Sequence, residues 1–123
     1  DVILPVGGPI YQAALDSIAD AGRDIALIGV DSDLFTTDPN TADVVLTSIQ
    51  KKMDVSVYDT IVAAGRGEFD AEAYVGTLEN GGVDIAPLHN FEGKVDAALL
   101  DEVDALKADI IAGKVKVTSY LTK

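Results

Sequence analysis

Asp31 and Asp33 stand one residue apart at the end of an apolar run, LIGVDSDLF at 27–35. Carboxylates so placed have four chemical uses. A calcium loop of the EF-hand kind is excluded, because Phe35 holds the fifth position and no glycine holds the sixth. A catalytic pair needs two environments that drive the acidities apart, which spacing alone does not reveal. An ionised carboxylate is also a bidentate acceptor for vicinal hydroxyls, the means by which dinucleotide folds hold a ribose. The fourth use is a solvated turn acid. Hydroxyl binding and the turn acid both remain open on the residues alone.

Gly7 and Gly8 follow the run VILPV at 2–6 and precede helical spacing. Glycines between a strand and a helix let a ligand approach the backbone, beside the free N–H groups of the helix start. Neither the dinucleotide fingerprint nor a phosphate-loop lysine is present, so a tight turn competes with a binding loop. Lys51 and Lys52 open a predicted helix, where the macrodipole disfavours cations. One of them is then placed for a ligand or a buried acid, unless both are solvated. His89 is the sole histidine. With no nucleophile motif beside it, it reads as structural or surface. The aromatics, Tyr11, Tyr58, Tyr74, Phe35, Phe69 and Phe91, read mostly as core.

These side chains need elements to hold them. Residues 2–6 and 25–30 read as strands buried on both faces. Between them Ile10, Ala14, Leu15 and Ile18 recur at helical spacing, with Gly22 past the last turn, which makes a β–α–β unit with parallel strands. Residues 35–43 read as a polar loop and 44–48 as a short strand or hinge. Ile49, Met53, Val57 and Ile61 mark a helix over about 48–64, with Ser48 as N-cap and Gly65 as the stop. YVGTL and VDIAP flank ENGG, so 74–86 reads as a hairpin on an Asn-Gly turn. Val95, Leu99, Val103, Leu106 and Ile110 give a final helix stopped at Gly113, and KVKVTSY at 114–120 reads as an edge strand. The fold class is α/β: a doubly wound, mainly parallel sheet flanked by helices.

The chain has 123 residues, enough for one domain with a core. Nine basic against 21 acidic residues give a net charge of −12, which argues against nucleic acid and anionic membrane surfaces as partners. With no cysteine there are no disulfides, cysteine–zinc sites or thiol catalysis. No apolar run approaches the roughly 20 residues that span a bilayer. The abrupt start on DVILPV suggests a piece of something longer.

The blocks DVILPVGG, IALIGVDSD, DVVLTSIQKKMDVSVYD, LENGGVDIAP and IIAGKVKVTSY, in that order, resemble the basic-membrane-protein family of nucleoside-binding lipoproteins that serve ABC importers. GVDSD followed about 16 residues later by TSIQKKMDV is the most specific part of the likeness. The resemblance implies the C-terminal part of a type I periplasmic binding protein, whose two α/β lobes trap a ligand between them. Residues 1–46 and 83–123 would lie in the second lobe. Residues 47–65 would form a hinge and a helix that packs on the first lobe. It implies that Asp31 accepts the ribose hydroxyls, that backbone at Gly7 and Gly8 meets the nucleoside, and that Lys51, three residues after Ser48, contacts the ligand. The family more often has AGGTG where this chain has VGGPI. A purine nucleoside is the favoured ligand, though the family's base-reading side chains come mostly from outside these residues.

The implied partners are a membrane permease of the ABC type, and either the missing N-terminal part or a second chain packed on this one. The implied location is extracytoplasmic, lipid-anchored in the full-length protein. No catalytic residue, metal or cofactor is expected, and the chain is not expected to be an enzyme. A sugar-binding or ligand-sensing regulatory domain of the same fold is the alternative.

Overall fold

The computed structural model describes residues 1–118, which fall into two compact units, one over 1–91 and one from Glu92 onward. Strand β1 is Val2–Ile3 and strand β2 is Ala26–Asp31; they pair in parallel, with Val2 beside Ala26. Helix α1, Tyr11–Ala21, joins them. Ala14, Leu15 and Ile18 pack toward the sheet, as their spacing predicts. Gly22 ends the helix in the left-handed conformation (φ 58), which a residue without Cβ adopts at no steric cost.

The first strand is shorter than the predicted 2–6. It lies at the edge of the sheet with a single neighbour, and Pro5 brings no N–H to extend the ladder. Val2, Leu4 and Val6 are consequently exposed rather than buried on both faces. In β2 the expectation holds in part: Leu27 is fully buried, whereas Ile28 is half-buried.

Residues 35–43 are not an unstructured polar loop. Asp33 caps a one-turn helix, α2 (Leu34–Thr37), by accepting the Phe35 N–H at 3.2 Å. Asp38 caps a 3-10 turn, Pro39–Thr41, by accepting the Asn40 N–H at 3.1 Å. Short acids make such caps because one side-chain oxygen replaces the missing carbonyl of the preceding turn. Thr41, fully buried, holds both pieces together: Oγ1 lies 3.0 Å from the Leu34 carbonyl and 2.8 Å from that of Asp38. The core of this unit is Ile18, Leu27, Leu34 and Val45. Burying a side chain of this size contributes about 1.5–3 kcal/mol.

Strand β3 runs over Val45–Lys51, parallel to β2. Leu27 faces Val45 but Ile28 faces Thr47, so Leu46 is an extra residue that bulges β3. The predicted helix over 48–64 therefore starts late, at Met53, and α3 is Met53–Gly65. Ser48 is not its N-cap; it is a fully buried strand residue whose Oγ accepts the Leu34 N–H. β-Branched and polar residues here satisfy a sheet position that the helical apolar spacing obscured. The stop is also later than Gly65. Gly67 adopts φ 76 with its N–H on the Ala64 carbonyl, and the Glu68 N–H reaches Ala63, a Schellman ending. No residue of α3 is buried, and Met53 and Ile61 are 62% and 65% exposed.

Strand β4, Val83–Ile85, pairs antiparallel with β3. The predicted hairpin at 74–86 does not form, because the first arm is not a strand and β4 finds β3 instead. Asn80 organises the turn differently: its Oδ1 accepts the Thr77 and Gly82 N–H groups, and its Nδ2 donates to the Val75 carbonyl. The sheet order is β1-β2-β3-β4, three parallel strands and one antiparallel. The fold is thus mixed α/β, a mostly parallel four-stranded sheet flanked by helices.

In the second unit, α4 spans Ala97–Ile111, with Asp96 accepting the Ala98 N–H as N-cap. Gly113 stops it at φ 71, where it was predicted to. Residues 114–118 of the predicted edge strand are not a strand, and its remainder lies outside the described residues. No helix among the described residues is long and apolar enough to cross a membrane.

Candidate functional site

Because β1, β2 and β3 are parallel, their carboxyl ends share one rim. Gly7 and Gly8 follow the end of β1, Asp31 ends β2 and Lys51 ends β3. Open α/β sheets bind ligands at this rim. The sequence-predicted residues therefore come from three adjacent strands, and two of them touch: Lys51 Nζ lies 2.7 Å from Asp31 Oδ1. Lys51 stands here at a strand end, not in a helical first turn.

Asp31 is held in an uncommon backbone conformation. Its φ is 75, one of two positive values outside glycine among the described residues. Aspartate tolerates the left-handed region better than most residues, but not without cost. Asp31 Oδ1 is shielded from solvent and receives no well-directed hydrogen bond, although the side chain as a whole is 48% exposed. The 2.7 Å contact with Lys51 makes Oδ1 half of a charge pair, so the exposure of the side chain leaves the other oxygen, Oδ2, as the accessible acceptor. A pair this exposed contributes about 0–1 kcal/mol, so hydroxyl donors can compete with it.

Gly7 has φ 149 and Gly8 φ 54, both conformations that glycine supplies. They lead through the 3-10 turn Gly8–Ile10 into α1. A Cβ at Gly8 would meet nothing within 4 Å, so the space beside that backbone is open.

Asp33, the other half of the acidic pair, has a different environment. Oδ1 caps α2, while Oδ2 lies 2.9 Å from His89 Nε2. The carbonyl of Asp33 accepts the Thr36 and Thr37 N–H groups at 3.1 and 3.0 Å. The His89 ring stacks on Phe35 with centroids 4.0 Å apart and an interplanar angle of 6°. Asp33 thus locks the loop, and His89 is part of that lock. Tyr11 adds a further tie by donating its hydroxyl to Asp38 Oδ2 at 3.0 Å. That hydrogen bond, with burial and the nearby Asp38 charge, raises the phenol above its usual value of 10.0.

Two positions that matter to this site went unread in the sequence. Gly29 lies where Ser48 and Leu34 close over β2, and a Cβ there would meet Ser48 Oγ at 2.4 Å. A lone glycine inside an apolar strand run is the signal that marks such an approach. The Asp33–His89 contact joins residues far apart in sequence and has no local signature.

Two hollows lie near α3, and one of them reaches the rim at Lys51. One of about 240 Å³ is lined by Asp59, Thr60, Phe69, Asp70 and Tyr74, and by none of the rim residues. Another, of about 280 Å³, includes Lys51, Lys52, Met53 and Tyr74. No group of three or more His, Asp or Glu able to hold a metal occurs among the described residues.

No protein-family model matches the chain, and no curated protein matches it. Among solved structures, the chain is similar to that titled "Crystal structure of ABC transporter system solute-binding proteins from Aeropyrum pernix K1". The TM-score is 0.75 and the identity 22%, over 97% of this chain and 40% of that one. This chain therefore spans well under half the length of that protein. What the likeness establishes is the fold alone: the mixed α/β arrangement of this chain is that of a part of the solved structure.

Proposed function

We propose that this chain is the ligand-binding C-terminal part of a solute-binding protein that delivers a nucleoside to an ABC permease. The observation that carries the reading is Asp31: a half-exposed carboxylate at the carboxyl rim of a parallel sheet, beside Lys51. Such an acceptor suits the vicinal hydroxyls of a ribose, each good charged bond contributing about 1.5–3 kcal/mol. Lys51, 2.7 Å from the acid, contacts the bound ligand. The open backbone at Gly8 admits the ligand close to the chain, while Gly7 beside it is approached by the Ile10 side chain.

The wider assignment rests on the fold likeness and on the family resemblance in sequence. In this reading the chain is not an enzyme. Residues 1–46 and 83–123 belong to one lobe, and residues 47–65 form the hinge and a helix for the other. The exposed apolar side chains Met53, Val57 and Ile61 of α3 support that part of it, because helices are seldom left with a bare apolar face. The share of the solved relative that this chain does not span would cover them. An extracytoplasmic, lipid-anchored location follows from the same reading.

Calorimetric titration with adenosine, guanosine, uridine, adenine, ribose and adenosine monophosphate tests it. Ribonucleosides should bind more tightly than the free base, because Asp31 reads the sugar. They should also bind more tightly than the nucleotide, because a chain at net charge −12 repels phosphate. Equal affinity for adenosine and its monophosphate overturns the reading. Tight binding of free sugars without nucleosides favours the sugar-binding alternative.

A further inference from the structure

We propose that His89 is a positioning residue for Asp31. By clamping Asp33, it holds the turn that keeps Asp31 left-handed, with its carboxylate presented at the rim. The inference rests on the role of Asp31 proposed above, and extends it to a residue remote in sequence.

Three observations converge. Asp31 (φ 75) and His89 (φ 47) are the non-glycine residues with positive φ among those described. Such conformations cost free energy and persist only where the surroundings over-determine them. The two positions are connected through a single side chain. Asp33 lies two residues after Asp31, and its Oδ2 meets His89 Nε2 at 2.9 Å, with the two side chains only 13% and 18% exposed. Finally, the chain is pinned on both sides of the turn. Upstream, Asp31 is in register with Gln50 of β3. Downstream, Leu34 donates its N–H to the buried Ser48 Oγ at 3.1 Å. Asp31 and Ser32 must make the whole change of direction between these anchors, and the Asp33 carboxylate sets where that change ends.

Histidine suits the place because it does two things at once. Its flat ring stacks on Phe35, and its ring nitrogen reaches Asp33. Phenylalanine would keep the stack and lose the nitrogen, whereas glutamine would keep an N–H donor and lose the ring. The two variants therefore separate packing from positioning.

The test compares His89→Phe and His89→Gln with the unmodified chain. The first readout needs no ligand: the NMR carbon shifts and HN–Hα coupling of Asp31, which report its backbone conformation. Asp31 should leave the left-handed region in H89F and keep it in H89Q. The second readout is titration with adenosine. H89F should bind at least tenfold more weakly and H89Q within about threefold of the unmodified chain. In an Asp31→Asn background, H89F should add no further loss, because its effect travels through Asp31. Should H89F fail to fold, Asp33→Ser replaces it: serine still caps the helix but is too short to reach His89, and it carries the same expectations. A left-handed Asp31 in H89F overturns the inference, as do losses that multiply in the double variant. The titrations use the full-length protein that contains this sequence; its failure to bind adenosine without substitution overturns the nucleoside reading instead, and the backbone readout still decides the role of His89.

Discussion

Replacing Gly29 by alanine places a methyl group in occupied space. An ideal Cβ there would lie 2.4 Å from Ser48 Oγ, and 2.8 and 2.9 Å from Leu34 Cγ and Cδ1. Neither neighbour has room to withdraw. Ser48 is fully buried with its hydroxyl engaged by the Leu34 N–H, and Leu34 is only 5% exposed. Forcing a methyl group into a packed interior costs about 1–3 kcal/mol. Turning Ser48 aside leaves a buried amide unpaired, for about 1–3 kcal/mol more. The lower entropy of alanine in the unfolded chain offsets about 0.4–1 kcal/mol. The net expectation is a loss of about 2–4 kcal/mol. In a urea titration followed by circular dichroism, with a slope of about 1–3 kcal/mol/M, the midpoint falls by roughly 1–3 M. The double variant G29A/S48A should lose less than the two single losses together, since it removes the atom in the way. A G29A loss below about 0.5 kcal/mol, or strict additivity, refutes the reasoning.

Asp31→Asn, which tolerates the same backbone, should weaken ribonucleoside binding by about 2–4 kcal/mol and leave the urea midpoint nearly unchanged. Asp33→Ala should instead lower stability by about 1–3 kcal/mol through the lost cap and the orphaned His89, with binding weakened as in H89F because the turn that presents Asp31 is released; urea melts tell it from Asp31→Asn. Tyr11 is raised above 10.0 in the folded chain, so its contribution is fully present below pH 10 and is lost as pH climbs through the folded value. Unfolding free energies measured across alkaline pH should therefore fall in the parent and stay flatter in Tyr11→Phe. Asp96→Ala should destabilise α4 by about 0.5–2 kcal/mol, read as faster hydrogen exchange at the Ala98 amide.

What the sequence made legible follows from the range of the signals. The α1 period, the glycine stops at Gly22 and Gly113 and the parallel pairing of the first two strands are local, and the structure has them. The start of α3 was missed because Ile49, Met53 and Val57 keep helical spacing across a strand–helix junction; only pairing with β2 and β4 tells that Ile49 belongs to the sheet. The Asn-Gly hairpin was missed because β3 offers a longer partner edge than residues 74–78 do. At the site, Asp31 and Lys51 were legible singly as charged residues at element ends. Their 2.7 Å contact was not, since it depends on the register of Asp31 beside Gln50. The His89 clamp crosses 56 positions and leaves no periodic trace.

The antiparallel strand has a mechanical meaning. Lys51 pairs with Val83, and the Lys52 N–H reaches the Gly82 carbonyl at 3.0 Å. The chain thus departs from the sheet and returns to it through neighbouring stems, so residues 53–81 form a side excursion closed at its base. Two stems bonded edge to edge behave as a ribbon. A ribbon flexes readily across its flat face, yet resists sliding of one stem along the other, because sliding breaks every rung at once. Cutting residues 53–81 down to a tight turn should therefore leave the four strands paired, because the stems at Lys51–Val83 and Lys52–Gly82 already close its base.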